Sequence, residues 1–201
     1  MRRRRSTRNP CAARTEQCSP RMVRHATTYA GLVEAYICNY RGEADRDLSF
    51  FRQCSSLRRT IHFAALSKLP NGKRHPHQYR LPVTVLAEGE RNLQACAAEI
   101  EGCLSFEALH GIVERELLCI HGIGVLTVYD VATRIGAYLG REPERVYLHA
   151  GTAAGARAIG LEHRRRSLDP GELPAPFQRL RPREIEDCLC LYKRQLARMR
   201  S

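Results

Sequence analysis

The chain has 201 residues, no Trp, and 33 Lys and Arg against 21 Asp and Glu, a formal charge of +12. With 43% hydrophobic and 27% charged residues it reads as globular rather than disordered, and its length suits one domain with a sizeable core. The longest apolar stretches, Leu117–Ile120 and Gly122–Val128, are far too short to span a bilayer, and no apolar run follows the first arginines, so a cytoplasmic protein is expected.

Residues 1–24 hold eight arginines (Arg2, Arg3, Arg4, Arg5, Arg8, Arg14, Arg21, Arg24) against one acid, Glu16. This composition predicts a disordered basic tail, either a nonspecific nucleic-acid arm or simply a solvated segment. Only Lys68, Lys73 and Lys193 are lysines. The arginine bias suits bidentate phosphate contacts, and a GC-rich genome produces it equally well.

From residue 25 onward the apolar pattern has the helical period, and no strict alternation lasts long enough to announce a strand. Thr27 or Thr28 caps a first helix that carries Tyr29, Leu32, Val33, Tyr36 and Ile37 and ends near Gly42. Asp45–Cys54 forms a short helix with Leu48, Phe50 and Phe51, and Ser55 or Ser56 caps another over Leu57–Leu69. Pro70–Pro82, with three prolines and an Asn-Gly pair, is a loop. A helix follows from about Val83 to Gly102, and Ser105 caps the next, with Phe106, Leu109, Ile112, Val113, Leu117 and Leu118 apolar. At the carboxyl end Pro182 opens a helix whose stripe is Ile185, Cys188, Leu189, Tyr192 and Leu196. Its acids Glu184, Glu186 and Asp187 stand early and Lys193, Arg194 and Arg198 late, as the helix dipole favours. The expectation is a single all-α domain over residues 25–201, of about seven to nine helices.

Nine cysteines, without a CxxC, read as reduced thiols within helices, and no metal site or cofactor is expected. Cys188 and Cys190 would face different sides of their helix.

The most informative stretch runs from Leu117 to Gly136 and reads as helix, tight turn, helix. Gly122 and Gly124 flank Ile123, so the backbone can take turn conformations barred to other residues while Ile123 points inward. A second helix starts at Val125 to Thr127, with Val128, Val131, Ala132 and Ile135 on its apolar face. Free amides at that start, the positive end of the dipole and two glycines together form an anion site built from backbone. Such a site holds phosphates without reading bases.

Ile120-His-Gly-Ile-Gly-Val-Leu-Thr127, with its two flanking helices, resembles the helix-hairpin-helix motif. The motif covers about 20 of the 201 residues, inside a helix-hairpin-helix unit at about 106–138. The all-helical context is similar, more distantly, to DNA glycosylases of the endonuclease III type. That resemblance implies a helical fold and a contact with DNA backbone. It would place a catalytic Asp in the extended stretch Glu144–Thr152, where Tyr147, Leu148 and His149 stand, and a catalytic Lys at Leu126; four iron–sulfur cysteines are absent.

The function expected from these features is non-catalytic binding of DNA backbone, without sequence preference. The site residues are His121, Gly122, Ile123, Gly124, Val125, Leu126 and Thr127, with Lys73 and Arg74 as auxiliary phosphate contacts. The alternatives are a repair enzyme with a rewired site, or a protein that uses the hairpin for packing or for a protein partner. Thr127 and Asp130 have capping-box spacing, and Asp187 reads as a dipole partner. Gly72–Arg80 is either a phosphate-contacting or a solvated basic loop, with His75 and His77 as candidates for proton transfer or metal ligation. His149 is a core histidine, a phosphate contact or a catalytic group, and the small residues after it suit close helix packing. Arg164–Arg166 with Arg179, Arg181 and Arg183 would extend a basic face.

Overall fold

The computed structural model describes residues 26–68, 72–75, 78 and 80–199, so the arginine-rich segment, His77 and Tyr79 lie outside the described residues. Thr28, in extended conformation, accepts from the Gly31 amide and starts α1 (Tyr29–Tyr36). The helix does not end near Gly42 as the sequence predicts. It widens into a π turn over Ile37–Arg41 and continues as α2 (Gly42–Arg52). Gly42 keeps helical angles, φ −65° and ψ −32°, and a glycine stops a helix only when its backbone turns left-handed. Asn39 Nδ2 donates to the Ala35 carbonyl at the widened turn.

Ser56 caps α3 (Leu57–Ala65) by accepting from the Arg59 amide. The predicted helix from Val83 to Gly102 is divided at Cys96, φ −95° and ψ 13°, into α4 (Val83–Ala95) and α5 (Ala97–Glu101), and the change of direction buries Ile100 fully. Ser105 caps α6 (Phe106–Leu118). α7 (Val125–Leu139) ends on Gly140 in the left-handed region, φ +68°.

Two strands then appear where the sequence predicts none, because two residues each are too few to show an alternation. β1 (Val146–Tyr147) pairs antiparallel with β2 (Ser167–Leu168), Val146 opposite Leu168. Between them lies α8 (Ala150–Ala158). Two short 3₁₀ turns, Pro170–Glu172 and Ala175–Arg179, lead to α9 (Pro182–Met199).

The buried apolar side chains form two clusters. The first gathers α2 to α7 around Phe51, Ile61, Leu109, Val113 and Ile135. The second gathers α1, the strand pair, α8 and α9 around Leu32, Tyr36, Phe177, Leu189 and Tyr192. The chain therefore starts in one cluster, builds the other, and returns. Within the second, α8 lies so close to α9 that a Cβ at Gly155 would strike the Leu189 carbonyl, which explains the run of small residues after His149.

Ion pairs tie the clusters together. Arg41 holds Glu184 at 2.8 Å, and Arg181 and Arg183 both reach Asp45, at 2.7 and 2.9 Å. Arg179 pairs with Glu34, Arg165 with Glu172 and Arg166 with Glu114. Of the arginines expected to extend a basic face, Arg165, Arg166, Arg179, Arg181 and Arg183 pair with carboxylates, and all of these but Arg183 keep an exposed side chain. No helix among the described residues is long and apolar enough to cross a membrane.

Candidate functional site

The turn between α6 and α7 is built from two buried anchors. Ile120 and Ile123 are 4% and 8% exposed and seat against α4, where a Cβ at Gly89 would lie 2.7 Å from Leu117 and close to both isoleucines. The Ile120 amide donates to Leu117 and the Ile123 amide to Ile120, closing the turn. His121, Gly122, Gly124 and Val125 are exposed on its outer side, Leu126 is half-buried and Thr127 is buried.

The two glycines serve different ends. Gly122 has φ +95°, a left-handed backbone that side chains rarely adopt. Gly124 is extended, φ −111° and ψ 171°, with nothing near its Cβ position, so neither strain nor crowding requires glycine there. Its effect is to leave the start of α7 bare. The first helical bond runs from the Val128 amide to the Gly124 carbonyl, and no side chain caps the helix. The amides of Val125, Leu126 and Thr127 precede that bond and point outward along the positive end of the dipole. Thr127 and Asp130 do not form the predicted capping box, because the cap position is Gly124 and Thr127 lies within the first turn. Asp130 instead accepts from Gln78 Nε2 at 2.8 Å and faces Arg134 at 3.7 Å.

Arg134 explains the loop that carries Lys73 and Arg74. It is 6% exposed, burial pushes its pKa down, and it donates to Gln78 Oε1 at 2.9 Å and to the Ala64 carbonyl at 3.3 Å. The loop is drawn onto α7 through Gln78 to satisfy that buried charge. Arg74 donates to the Leu81 carbonyl, a contact within its own loop, and Lys73 is exposed. Neither lines the cleft described next.

Beside the α6–α7 turn a cavity of about 710 Å³ opens between the start of α7, the start of α8 and the inner face of α9. Its apolar wall includes Val125, Leu126, Ala154 and Leu191, and its polar groups are Asp130, His149, Glu186, Asp187 and Lys193. His149 caps α8, accepting from the Gly151 amide on Nδ1 at 3.3 Å. That bond needs the Nδ1 lone pair, which places the ring proton on Nε2, facing Glu186 Oε1. Thr152 Oγ1 donates to the same carboxylate oxygen at 2.8 Å. A buried carboxylate is so bound by a buried histidine and a buried hydroxyl, as burial of such a group demands. Of the roles open to His149, the structure shows the cap and the bond to Glu186.

Asp187 is not a dipole partner in the first turn. It lines the cleft and accepts on Oδ2 from the Tyr36 hydroxyl at 2.8 Å, with Arg183 Nη1 at 3.6 Å. Burial, and then the neighbouring Glu186, push its pKa up to about 7, against the opposing pull of Arg183 and the Tyr36 hydrogen bond. Burial and Asp187 push the Tyr36 phenol well above its ordinary value.

Sequence reading misses Glu186 as part of a site, because an acid early in a helix already has a sufficient explanation. Its partner His149 lies 37 residues away in the chain, and no local pattern links them. Among the described residues no cluster of His, Cys, Asp and Glu is arranged to hold a metal ion. No family model, curated protein or solved structure matches this chain.

Proposed function

We infer that the chain binds nucleic-acid backbone, that of DNA, through the α6–α7 turn. The observation that carries this reading is the bare start of α7, which no side chain caps and whose cap position is an exposed glycine that nothing steric requires. A phosphate oxygen would take the place of the missing cap, as in helix-hairpin-helix proteins, and His121 stands exposed beside it. Lys73 and Arg74 are auxiliary, on the loop that Gln78 fastens to α7. A second reading, that of a repair enzyme, draws on the cleft. Its volume lies within the range of small-molecule sites, its wall is mostly apolar, and it begins where a gripped backbone would pass. An unstacked base would fit there, and carboxylates face it.

The test is Gly124→Asp. The Cβ has room and the backbone is already extended, so the fold is kept, and the new carboxylate caps α7 in place of a phosphate. Affinity of the full-length chain for duplex DNA is expected to fall about tenfold or more at low salt. The slope of log affinity against log salt should become shallower by about one for each phosphate that the variant no longer neutralises. Unchanged affinity and slope in a folded variant would remove the turn from the interface.

A further inference from the structure

Buried polar atoms are normally bonded, and three of the exceptions in this fold line one hollow. It measures about 180 Å³ and lies between α2, α7 and α9, behind the carboxylates that it shares with the cleft. Arg183, 7% exposed, directs its outer nitrogens to Asp45 at 2.9 Å and to Asp187 at 3.6 Å, and its Nε–H has no acceptor. Tyr129 is 4% exposed, and its hydroxyl and that of Thr133, one helical turn on, have at most each other.

This pattern restricts what can fill the hollow. A guanidinium N–H and two hydroxyls without acceptors call for an oxygen that accepts. An anion is a poor match, because Asp47, Asp130, Glu186 and Asp187 line the hollow and outnumber Arg134 and Arg183. A cation is equally poor, since Arg183 Nε–H can only donate. A neutral group with a carbonyl oxygen beside an N–H answers both requirements. Ala44 and Leu48 add apolar wall for a small body, and the volume lies below the range of drug-sized sites.

We propose that this hollow binds a small neutral carboxamide, its carbonyl oxygen accepting from Arg183 Nε–H and the Tyr129 hydroxyl, and its amide nitrogen donating to Asp187. Asp187 takes the Tyr36 hydroxyl on Oδ2, and its Oδ1 serves the ligand. Thr133 donates to the Tyr129 oxygen and so turns the phenolic proton toward the ligand. None of the residues lining the hollow belongs to the α6–α7 turn, so the proposal stands apart from the backbone reading.

The experiment titrates full-length protein near neutral pH with benzamide, benzamidine and benzoate, which share a ring and a planar head group but are neutral, cationic and anionic. Binding is read by ligand-observed nuclear magnetic resonance. Benzamide should bind at least about tenfold more tightly than either charged probe. Tyr129→Phe should weaken it about three- to tenfold, the worth of one hydrogen bond, without lowering the melting temperature of the free protein. Ala44→Leu, on the exposed side of α2, should fill part of the hollow and abolish binding, while a probe seated in the larger cleft would not feel it. The proposal is overturned if benzamide does not bind, or if a charged probe binds as tightly. It is also overturned if benzamide binds both variants as it binds the wild type. A lower melting temperature of Tyr129→Phe overturns it as well, because that hydroxyl would then already serve the fold.

Discussion

α7 and α8 start on the wall of one cleft, α7 at Gly124 and α8 at His149, and they treat their first amides in opposite ways. α8 closes its start with a side chain that accepts from the Gly151 amide and is itself bonded to Glu186. α7 has no such side chain, and at Gly124 the structure has room for one. α1, α3 and α6 follow α8, with Thr28, Ser56 and Ser105 as caps. α4, which starts after Pro82, lacks a side-chain cap but does not line the cleft. The contrast separates a helix start used for stability from one left open at a concave surface, and mutations can act on each separately.

The largest effect is expected at the closed start. His149→Leu removes the cap and leaves Glu186, 5% exposed, with Thr152 alone. Leaving a buried carboxylate short of one of its donors costs about 1–3 kcal/mol or more, which urea unfolding would read as a lower midpoint. A destabilisation below about 1 kcal/mol would mean that Glu186 finds other partners and that the dyad is not structural. The open start should behave in the opposite sense. Gly124→Asp supplies a cap, so it should raise stability by a few tenths of a kcal/mol while weakening DNA binding. If the same variant lowered stability, the start of α7 would already be satisfied by something else, and the contrast between the two helices would dissolve.

The legibility of the sequence divides along the same line. Caps made by the residue just before a helix can be read, as at Ser105, because the signal and its partner are three residues apart. The turn itself is legible too, down to the burial of Ile123 and the exposure of both glycines, since local backbone rules decide it. The break at Cys96 and the continuation through Gly42 are not, because tertiary packing decides there between conformations that the local sequence allows about equally. The cleft is illegible for a different reason. Its walls come from residues around 125, 150 and 187, and its chemistry depends on pairs such as His149 with Glu186 and Tyr36 with Asp187, 37 and 151 residues apart. The helix dipole accounts for Glu186 and Asp187 in the sequence, and that account fits any acid early in a helix. The partners of Arg179, Arg181 and Arg183 are illegible for the same reason, since Glu34 and Asp45 lie far from them in the chain.

The effect sharpest in sign concerns Asp187 and pH. Its pKa in the folded chain lies above the ordinary carboxylate value of 3.8, so the folded state holds that proton more tightly than the unfolded state does. Stability therefore falls as pH rises from the ordinary carboxylate range to about 7, and above that the full penalty of an ionised Asp187 beside Glu186 stands. Asp187→Asn removes the penalty and keeps an oxygen for the Tyr36 hydroxyl. Thermal melts of the two proteins should nearly coincide at about pH 4, and the variant should melt higher at about pH 8, with the gap opening between those values. His149→Leu gives no such pattern, because its cost comes from a missing partner and not from a displaced proton at Asp187. A gap that is the same at both pH values would show that Asp187 titrates as an ordinary surface carboxylate, and the cleft would lose the group that distinguishes it from a wall of committed ion pairs.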